Sequence, residues 1–248
     1  MIYFIGAGPG APDLITVRGR SLLERAELVV YAGSLVNPEL LAFCPAGTPC
    51  LNSAKMTLEE VVEAMTSLGR EATVVRLHTG DPSLYGAIAE QMAMLRQRGY
   101  DCEVVPGVSS LFAASAALGA EYTLPGVSQT LIVSRLAGRT PVPEGQQARA
   151  LAAHGASMAF FLSVDRLGEL CRELEAGGCA PDTPCAVVCK ASWPEEEIVR
   201  GTLSDIADRA SHIRKTALVL VGRFLAEEGE RSRLYDPAFS HGYREAAK

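Results

Sequence analysis

Gly80-Asp81-Pro82-Ser83-Leu84-Tyr85-Gly86 is the stretch that decides the fold of this 248-residue chain. It follows the apolar run 72–77, which is rich in β-branched residues, and it precedes a helical pattern over residues 85–98. A strand pattern that meets Gly, Asp and Pro ahead of a helix is typical of the carboxyl end of a parallel strand. Ligands of open α/β sheets bind at that end, so this loop is the first candidate binding site, although an ordinary βα turn has the same pattern.

Two further predicted strands end in loops of the same kind. The strand patterns at 1–5 and 102–105 lead into Gly6-Ala7-Gly8-Pro9-Gly10 and Pro106-Gly107-Val108-Ser109-Ser110. Ser109 stands where the N-cap of the next helix is expected. Strands and helices alternate through this half of the chain, which predicts a parallel sheet with right-handed connections. The three loops should therefore share one rim of that sheet.

The first loop also matches a cofactor-binding fingerprint. Residues 6–11 satisfy the dinucleotide pattern G-x-G-x-x-A. Pro9 and Pro12, however, disfavour helical geometry in the residues before them, where the fingerprint needs a helix to begin, and no acidic residue for a ribose follows the second strand at 27–31. We therefore predict a later helix with Thr16 as its N-cap, and a loop that walls a ligand pocket. A non-catalytic dinucleotide-binding module stays open as an alternative.

The second half of the chain has a less regular pattern. Residues 120–127 interrupt the alternation and predict a boundary between an N-terminal domain, 1–122, and a C-terminal domain, 123–248. In the second domain two strand patterns follow one another without a helix between them, which predicts a mixed sheet. The charged residues from about 226 onwards predict a surface tail. The predicted fold class is thus α/β, with a parallel-sheet and a mixed-sheet domain.

Composition narrows the function classes. The net charge is −6 and no dense cluster of Lys and Arg occurs, so we expect no nucleic-acid partner. No apolar run approaches the roughly 18 residues of a membrane span, and the N-terminus lacks the basic region of a signal peptide, so we expect a cytoplasmic protein without a membrane partner. The seven cysteines form no C-x-x-C pair and the four histidines show no ligand spacing, so we expect no metal site.

Taken in order, these motifs resemble the tetrapyrrole methylases, the S-adenosylmethionine-dependent enzymes that methylate uroporphyrinogen-derived macrocycles. The motifs that carry the resemblance span nearly the whole chain: Gly6-Ala7-Gly8-Pro9-Gly10 with Asp13-Leu14-Ile15-Thr16, Gly80-Asp81-Pro82, Pro106-Gly107-Val108-Ser109-Ser110, Ala186-Val187-Val188 with Gly201-Thr202-Leu203, and Val221-Gly222-Arg223. Five motifs in one order are far more specific than any one of them.

Some segments resemble one branch of the family, the one that methylates precorrin-4 at ring carbon 11 on the route to cobalamin. These segments are Tyr31-Ala32-Gly33-Ser34-Leu35-Val36, residues 80–86, and the tail pieces Ser232-Arg233-Leu234-Tyr235 and His241-Gly242-Tyr243-Arg244. Thr79 departs from the uroporphyrinogen methylases, which usually have a second glycine there. Methylation of another ring carbon or of cobalt-precorrin-4, or a protein or RNA substrate, remains open, and the absence of a basic patch disfavours RNA.

The resemblance implies two α/β domains with the active site in the cleft between them, a homodimer, and S-adenosylmethionine as cofactor with S-adenosylhomocysteine as its product. The family's cofactor contacts, carried over position by position, fall on Pro9, Gly80, Asp81, Leu84, Ser109, Ser110, Leu162, Ala191, Ala217 and Leu218. These residue types suit a nucleoside thioether, because Gly and Ala admit close backbone hydrogen bonds while leucines supply apolar walls for adenine.

The substrate implied by the resemblance is a carboxylated tetrapyrrole, which needs cationic anchors. The candidates near the predicted rim are Arg18, Arg135 and Lys190. We nominate no catalytic acid, base or nucleophile. The sulfonium is already an activated methyl donor, so holding donor and acceptor in line is expected to supply most of the catalysis.

Overall fold

The computed structural model describes residues 1–138, 140–226 and 229–246, and they form two compact units. The first unit contains Met1–Ala114 together with Lys190–Glu196. The second contains Ser115–Cys189 and the chain from residue 197 onwards. The division falls at residue 114, whereas the sequence pattern was interrupted only at 120–127, and the short segment from the second half belongs to the first unit.

The first unit is built on a five-stranded parallel sheet with the strand order β3-β2-β4-β1-β5. Its strands are β1 (Ile2–Gly6), β2 (Leu28–Tyr31), β3 (Cys50–Asn52), β4 (Val74–His78) and β5 (Cys102–Val105). The predicted parallel sheet is therefore confirmed. The strand β3 was missed, because three residues are too few to show a period.

Helices cover both faces of this sheet. They are α1 (Val17–Leu23), α2 (Leu58–Thr66) and α3 (Ile88–Gln97), and the next helix, α4 (Ser110–Leu118), begins in this unit and ends in the second. Side chains alternate along β1, so Phe4 packs with Leu95 of α3 and Val62 of α2, whereas Ile5 packs with Leu22 of α1 on the opposite face. The connection that follows β1 therefore covers the opposite face from the connection that follows β4.

The second unit contains a mixed sheet with the order β6-β7-β10-β8-β9. Its strands are β6 (Leu131–Arg135), β7 (Ser157–Phe161), β8 (Pro184–Cys189), β9 (Glu197–Thr202) and β10 (Ala217–Val221). Only β6 and β7 are parallel; the other pairs are antiparallel, which confirms the predicted mixed sheet. The helices α5 (Ala148–Ala152), α6 (Leu167–Ala176) and α7 (Ile206–Arg209) supply residues to the core on one face, where Phe160 and Leu170 are fully buried.

Helix starts in the first unit differ in how well the sequence predicted them. Thr16 caps α1 as expected, its side chain accepting a hydrogen bond from the Gly19 N–H at 3.1 Å. The helix predicted to begin at Tyr85 was wrong at its start, since α3 begins only at Ile88. Tyr85 and Ala87 have φ angles of 57° and 49°, and a left-handed residue cannot take part in a right-handed helix.

The tail predicted from about residue 226 is described over 229–246; residues 227, 228, 247 and 248 lie outside the described residues. Arg244 organises it by donating hydrogen bonds to the carbonyls of Leu234 at 2.9 Å and Asp236 at 2.5 Å. Within the ranges given above, no helix has both the length and the apolar character that crossing a lipid bilayer requires.

Candidate functional site

The loops after β1, β4 and β5 meet at one rim of the first unit's sheet, as predicted. The Gly80 N–H donates to the Gly8 carbonyl at 2.8 Å, and the Gly8 N–H donates to the Gly80 carbonyl at 3.3 Å. A Cβ atom at Gly6 would lie 2.5 Å from the Gly107 Cα, and one at Gly107 would lie 2.2 Å from the Gly80 carbonyl oxygen. No side chain fits at Gly6 or Gly107, so these glycines allow the three backbones to converge.

Asp81 fastens two of these loops together. Its Oδ2 accepts from the Gly107 N–H at 2.9 Å, and its Oδ1 accepts from the Ser83 N–H at 2.8 Å and from the Ser83 hydroxyl. Burial alone would raise the pKa of Asp81, but the hydrogen bonds from Ser83 and Gly107 outweigh it and hold the pKa below its ordinary value. The carboxylate is thus ionised at neutral pH and engaged in the protein's own structure.

The remaining predicted contacts of this rim lie beside Asp81. Ser109 is buried and caps α4 as predicted, its Oγ accepting from the Leu111 N–H at 3.2 Å. A Cβ atom at Gly80 would lie 3.6 Å from the Ser109 Cα, so the two loops are in contact. The Leu84 N–H donates to the Asp81 carbonyl at 3.2 Å and forms the turn that follows Gly80. The structure therefore brings Gly80, Asp81, Leu84 and Ser109 together, with Ser110 as the next residue.

The position of this rim in the sheet favours ligand binding. β1 and β4 are neighbours, and the elements that follow them, α1 and α3, cover opposite faces. Where neighbouring connections leave a parallel sheet on opposite faces, a crevice opens at the carboxyl ends of the strands. The loops that contain Gly8 and Gly80 follow the two strands at this switch point, where the rule predicts a binding site.

The segment Lys190–Glu196 packs on the first of these loops. The Trp193 Nε1–H donates to the Pro9 carbonyl at 2.9 Å, and the Ala11 N–H donates to the Ser192 Oγ at 3.0 Å. Ala191, a predicted cofactor contact, is 6% exposed. Two predicted contacts that are far apart in the sequence, Pro9 and Ala191, are thereby held on adjoining segments of one unit.

In the second unit the predicted contacts gather at one end of the sheet. Arg135 ends β6 opposite Phe161 of β7, so Leu162 follows directly at that end, and antiparallel β10 begins there with Ala217. Leu162 has a φ of 52°, which is sterically unfavourable for a residue with a Cβ atom. It is also 68% exposed, so most of its apolar side chain contacts solvent. Leu218 is 3% exposed and packs in the interior.

The chain is similar to known proteins over most of its length. The family described as tetrapyrrole (corrin/porphyrin) methylases matches residues 1–207. The chain is 49% identical to the cobalt-precorrin-4 C(11)-methyltransferase of Methanocaldococcus jannaschii, over 100% of this chain and 97% of that protein. It is also 49% identical to the precorrin-4 C(11)-methyltransferase of Pseudomonas aeruginosa, over 98% of each.

The chain belongs to the tetrapyrrole methylase family. Two solved structures of similar proteins support the assignment. The X-ray structure of cobalt precorrin-4 methyltransferase, a cobalamin biosynthetic enzyme, has a TM-score of 0.88 and 49% identity, covering 91% of this chain and 96% of that one. The uroporphyrin-III C-methyltransferase of Thermus thermophilus, complexed with S-adenosyl homocysteine, has a TM-score of 0.76 and 28% identity, covering 91% of this chain and 93% of that one.

The three cations predicted to anchor the tetrapyrrole already have partners in the protein. Arg18 forms an exposed ion pair with Glu103. Arg135 donates to the backbone carbonyls of Thr140 at 3.1 Å and Pro141 at 2.8 Å, so it braces the loop after β6. Lys190 has the loosest partner, a Glu195 carboxylate at 3.4 Å, and both side chains are exposed.

A buried histidine that the sequence pattern did not single out lies directly before the Gly80 loop. His78 ends β4, is 4% exposed, and stacks on Phe4 with ring centroids 5.9 Å apart. Among the described residues its Nε2 has no hydrogen-bond partner. Burial and the positive charge of Arg76 lower the pKa of His78 from 6.5 to about 3, so the ring is neutral.

Arg76 and Gln91 were missed with His78. The Arg76 Nε–H donates to the Gln91 Oε1 at 3.0 Å, and its NH1 donates to the Val30 carbonyl at 3.2 Å, all in the interior. Burial lowers the pKa of Arg76 to about 10. A signal was available, since Arg76 and His78 interrupt an otherwise apolar strand, and polar groups enter a buried strand only where they find partners or serve a site.

Proposed function

We propose that this protein transfers a methyl group from S-adenosylmethionine to carbon 11 of precorrin-4 or of its cobalt-containing counterpart in cobalamin biosynthesis. The observation that carries the proposal is 49% identity over the full chain to relatives named for that reaction, both the cobalt and the metal-free form. The TM-score of 0.88 to a cobalt precorrin-4 methyltransferase, against 0.76 to a uroporphyrin-III methyltransferase, favours the same branch.

The residues of the rim fit the proposed cofactor. When bound, S-adenosylmethionine supplies an activated methyl group on a sulfonium. Glycines at residues 8, 80 and 107 keep side chains out of the rim, so a ligand would meet main chain there. Because the N–H groups of all three already donate within the protein, their carbonyl oxygens are the main-chain groups that a ligand can still use. Ser109 and Ser110 add hydroxyl groups at the start of α4, where the Leu111 N–H is already capped by the Ser109 Oγ.

Apolar contact to the cofactor is proposed to come from leucines. Leu84 lies half-buried in the Gly80 loop of the first unit, and Leu162 of the second unit exposes 68% of its surface. If an adenine packs on these leucines, their exposed apolar surface is removed from water. Each Å² buried in this way contributes about 25 cal/mol to the free energy of binding. We propose Ala191, Ala217 and Leu218 as backbone contacts, because small or inward-facing side chains leave their main-chain groups to the ligand.

The protein's task in this reaction is to position the reactants. Once the macrocycle carbon and the sulfonium methyl are held in line, the effective concentration gained can lower the barrier by about 7 to 11 kcal/mol. Arg18, Arg135 and Lys190 remain the proposed anchors for substrate carboxylates. Lys190 is the one whose ion pair is most easily exchanged, because an exposed pair with Glu195 at 3.4 Å contributes little that a substrate carboxylate could not replace.

The deciding experiment uses the purified protein with S-adenosylmethionine whose methyl carbon is ¹³C. It is incubated separately with precorrin-4 and with cobalt-precorrin-4, and the product is analysed by mass spectrometry and NMR. We expect one added methyl group, located on carbon 11. A label on another ring carbon would assign the chain to another methylation step, and binding of NADH without any transfer would support the dinucleotide-binding alternative.

We further propose that the protein is a homodimer that works in the cytoplasm. Support for association comes from large apolar side chains exposed on the first unit, Phe112 of α4 at 58% and Val104 of the edge strand β5 at 37%. Light scattering on the eluting protein tests the dimer, and a mass equal to one chain at micromolar concentration would contradict it. Cell fractionation tests the location.

A further inference from the structure

Trp193 is the single tryptophan of the chain, and it lies in the segment Lys190–Glu196. Its indole N–H donates to the carbonyl of Pro9 at 2.9 Å. One residue earlier, the Ser192 Oγ accepts from the N–H of Ala11 at 3.0 Å. The two hydrogen bonds flank Gly10, so they hold the peptide units on both sides of it.

The indole ring occupies the space that a side chain at residue 10 would need. A Cβ atom at Gly10 would lie 2.1 Å from the Trp193 Cδ1 and 2.2 Å from its Nε1. At these distances the Cβ atom would overlap the indole ring. The ring cannot easily move away, because its N–H is bonded to the Pro9 carbonyl. Gly10 and Trp193 are therefore complementary, and neither residue is interchangeable while the other is present.

The segment Lys190–Glu196 has an unfavourable backbone conformation that contacts with neighbouring residues must stabilise. Lys190 and Ser192 have φ angles of 49° and 69°, which non-glycine residues rarely adopt. The Ser192 N–H donates to the Glu196 Oε2 at 2.7 Å, and the Trp193 N–H donates to the Lys190 carbonyl at 2.9 Å. Strained backbone of this kind persists where the surrounding structure over-determines it, and it concentrates at functional sites.

We propose that Trp193 is a positioning residue for the cofactor site. Its N–H bond to Pro9 and its packing on Gly10 fix the loop after β1. Because Ala191 lies two residues before Trp193, the same contacts also hold the backbone of Ala191. The inference rests on the proposed function, because Pro9 and Ala191 are proposed contacts of S-adenosylmethionine. Trp193 itself is not proposed to touch the cofactor or the reacting atoms. Its effect is on how well the cofactor is held. The ammonium nitrogen of Lys190, a proposed anchor of the macrocycle, lies 5.7 Å from the centre of the Trp193 ring, so the variant used for the tetrapyrrole kinetics keeps an aromatic ring at residue 193.

The first test removes only the N–H donor. Trp193→Phe keeps an aromatic ring over Gly10 but cannot bond the Pro9 carbonyl. We expect the calorimetric Kd for S-adenosylhomocysteine and the KM for S-adenosylmethionine to rise about fivefold, the usual size of one lost hydrogen bond. The kcat and the KM for the tetrapyrrole should stay within about twofold of the parent, a split that a general loss of structure would not produce.

The second test uses the complementarity of the two residues. Gly10→Ala should raise the Kd for S-adenosylhomocysteine about tenfold, because its Cβ displaces the indole. In a Trp193→Ala background the same change should have less than about a twofold effect, since the collision partner is gone. Gly168→Ala is the matched control, because the nearest atoms to its Cβ lie at 3.6 and 3.8 Å.

Binding of S-adenosylhomocysteine by the parent and by the variants separates the positioning role of Trp193 from the proposed function. If the parent binds S-adenosylhomocysteine and both Trp193→Phe and Gly10→Ala bind it as tightly, the positioning role is overturned while the proposed function stands. If the parent itself binds none, the proposed function fails first. Equal effects of Gly10→Ala in both backgrounds would also overturn the inference, and if Gly10→Ala does not fold, the Trp193→Phe kinetics decide alone.

Discussion

The Asp81 Oδ2 accepts a hydrogen bond from the Gly107 N–H at 2.9 Å and so joins the loop after β4 to the loop after β5. β1 lies between these two strands, and the Gly6 at its end is in close contact with Gly107. Asp81, a proposed cofactor contact, is therefore also the residue that holds two loops of the rim together. Its replacement should disturb the site through geometry as well as through any direct contact.

Asp81→Ala is expected to lower the free energy of unfolding by about 1 to 3 kcal/mol, because the Gly107 and Ser83 N–H groups lose their acceptor. The Kd for S-adenosylhomocysteine should rise about tenfold as the rim loosens. Thermal unfolding and calorimetry measure the two effects. Ser83→Ala is the control, since it removes one hydroxyl donor and leaves the Gly107 bond; unchanged affinity in a folded Asp81→Ala protein would make Asp81 a turn residue only.

His78 should make stability depend on pH. Its pKa is lowered from 6.5 to about 3 in the folded protein, so between those values the unfolded chain binds the extra proton. The free energy of unfolding is then fully kept above pH 6.5 and falls by about 1.4 kcal/mol per unit as pH drops through the window.

His78→Phe provides the comparison, because it keeps a flat ring on Phe4 and cannot titrate. Denaturant unfolding of both proteins between pH 7 and 5 should show a parent curve that falls more steeply than the variant's. Other titrating groups contribute equally to both curves and cancel in the difference. Parallel curves would mean that His78 gains a proton without cost, which its burial at 4% exposure argues against.

Leu162→Asn should separate stability from binding. Asparagine tolerates the left-handed region better than leucine, so the free energy of unfolding should stay level or rise by up to about 1 kcal/mol. The Kd for S-adenosylhomocysteine should rise about tenfold, as expected for a lost apolar wall. Val17→Asn, at a residue that is 85% exposed on α1, should leave the Kd unchanged. Unaltered binding by Leu162→Asn would remove Leu162 from the proposed site.

Lys190 and Arg135 are expected to behave differently when each is replaced by alanine. Lys190→Ala should raise the KM for the tetrapyrrole and flatten the salt dependence of kcat/KM, with cofactor affinity nearly intact, because a long-range charge is lost. Arg135→Ala should in addition lower the free energy of unfolding by about 1 kcal/mol, since two backbone carbonyls lose their donor. Glu195→Gln is the control for the Lys190 ion pair, and salt profiles identical to the parent's would exclude both cations as anchors.

Local signals in the sequence predicted much of the fold. Thr16 and Ser109 cap their helices because a short polar side chain reaches the free N–H groups of a first turn, which is a matter of a few neighbouring residues. The alternation of strands and helices predicted the parallel sheet, and adjacent strand patterns predicted the mixed one. The start of α3 was missed because the left-handed turn at Tyr85 and Ala87 has no residue signature.

The sequence by itself determined most of the element types, the Gly/Pro loops at three strand ends and the resemblance to the family, since each depends on residues close together in the chain or on motifs in a fixed order. Only the tertiary structure decided that β4 lies between β2 and β1, that Asp81 is fastened to Gly107, and that Trp193 packs on Gly10. Those relationships join residues up to 184 positions apart, as between Trp193 and Pro9. They follow from close packing and hydrogen-bond geometry in three dimensions, which no local pattern encodes.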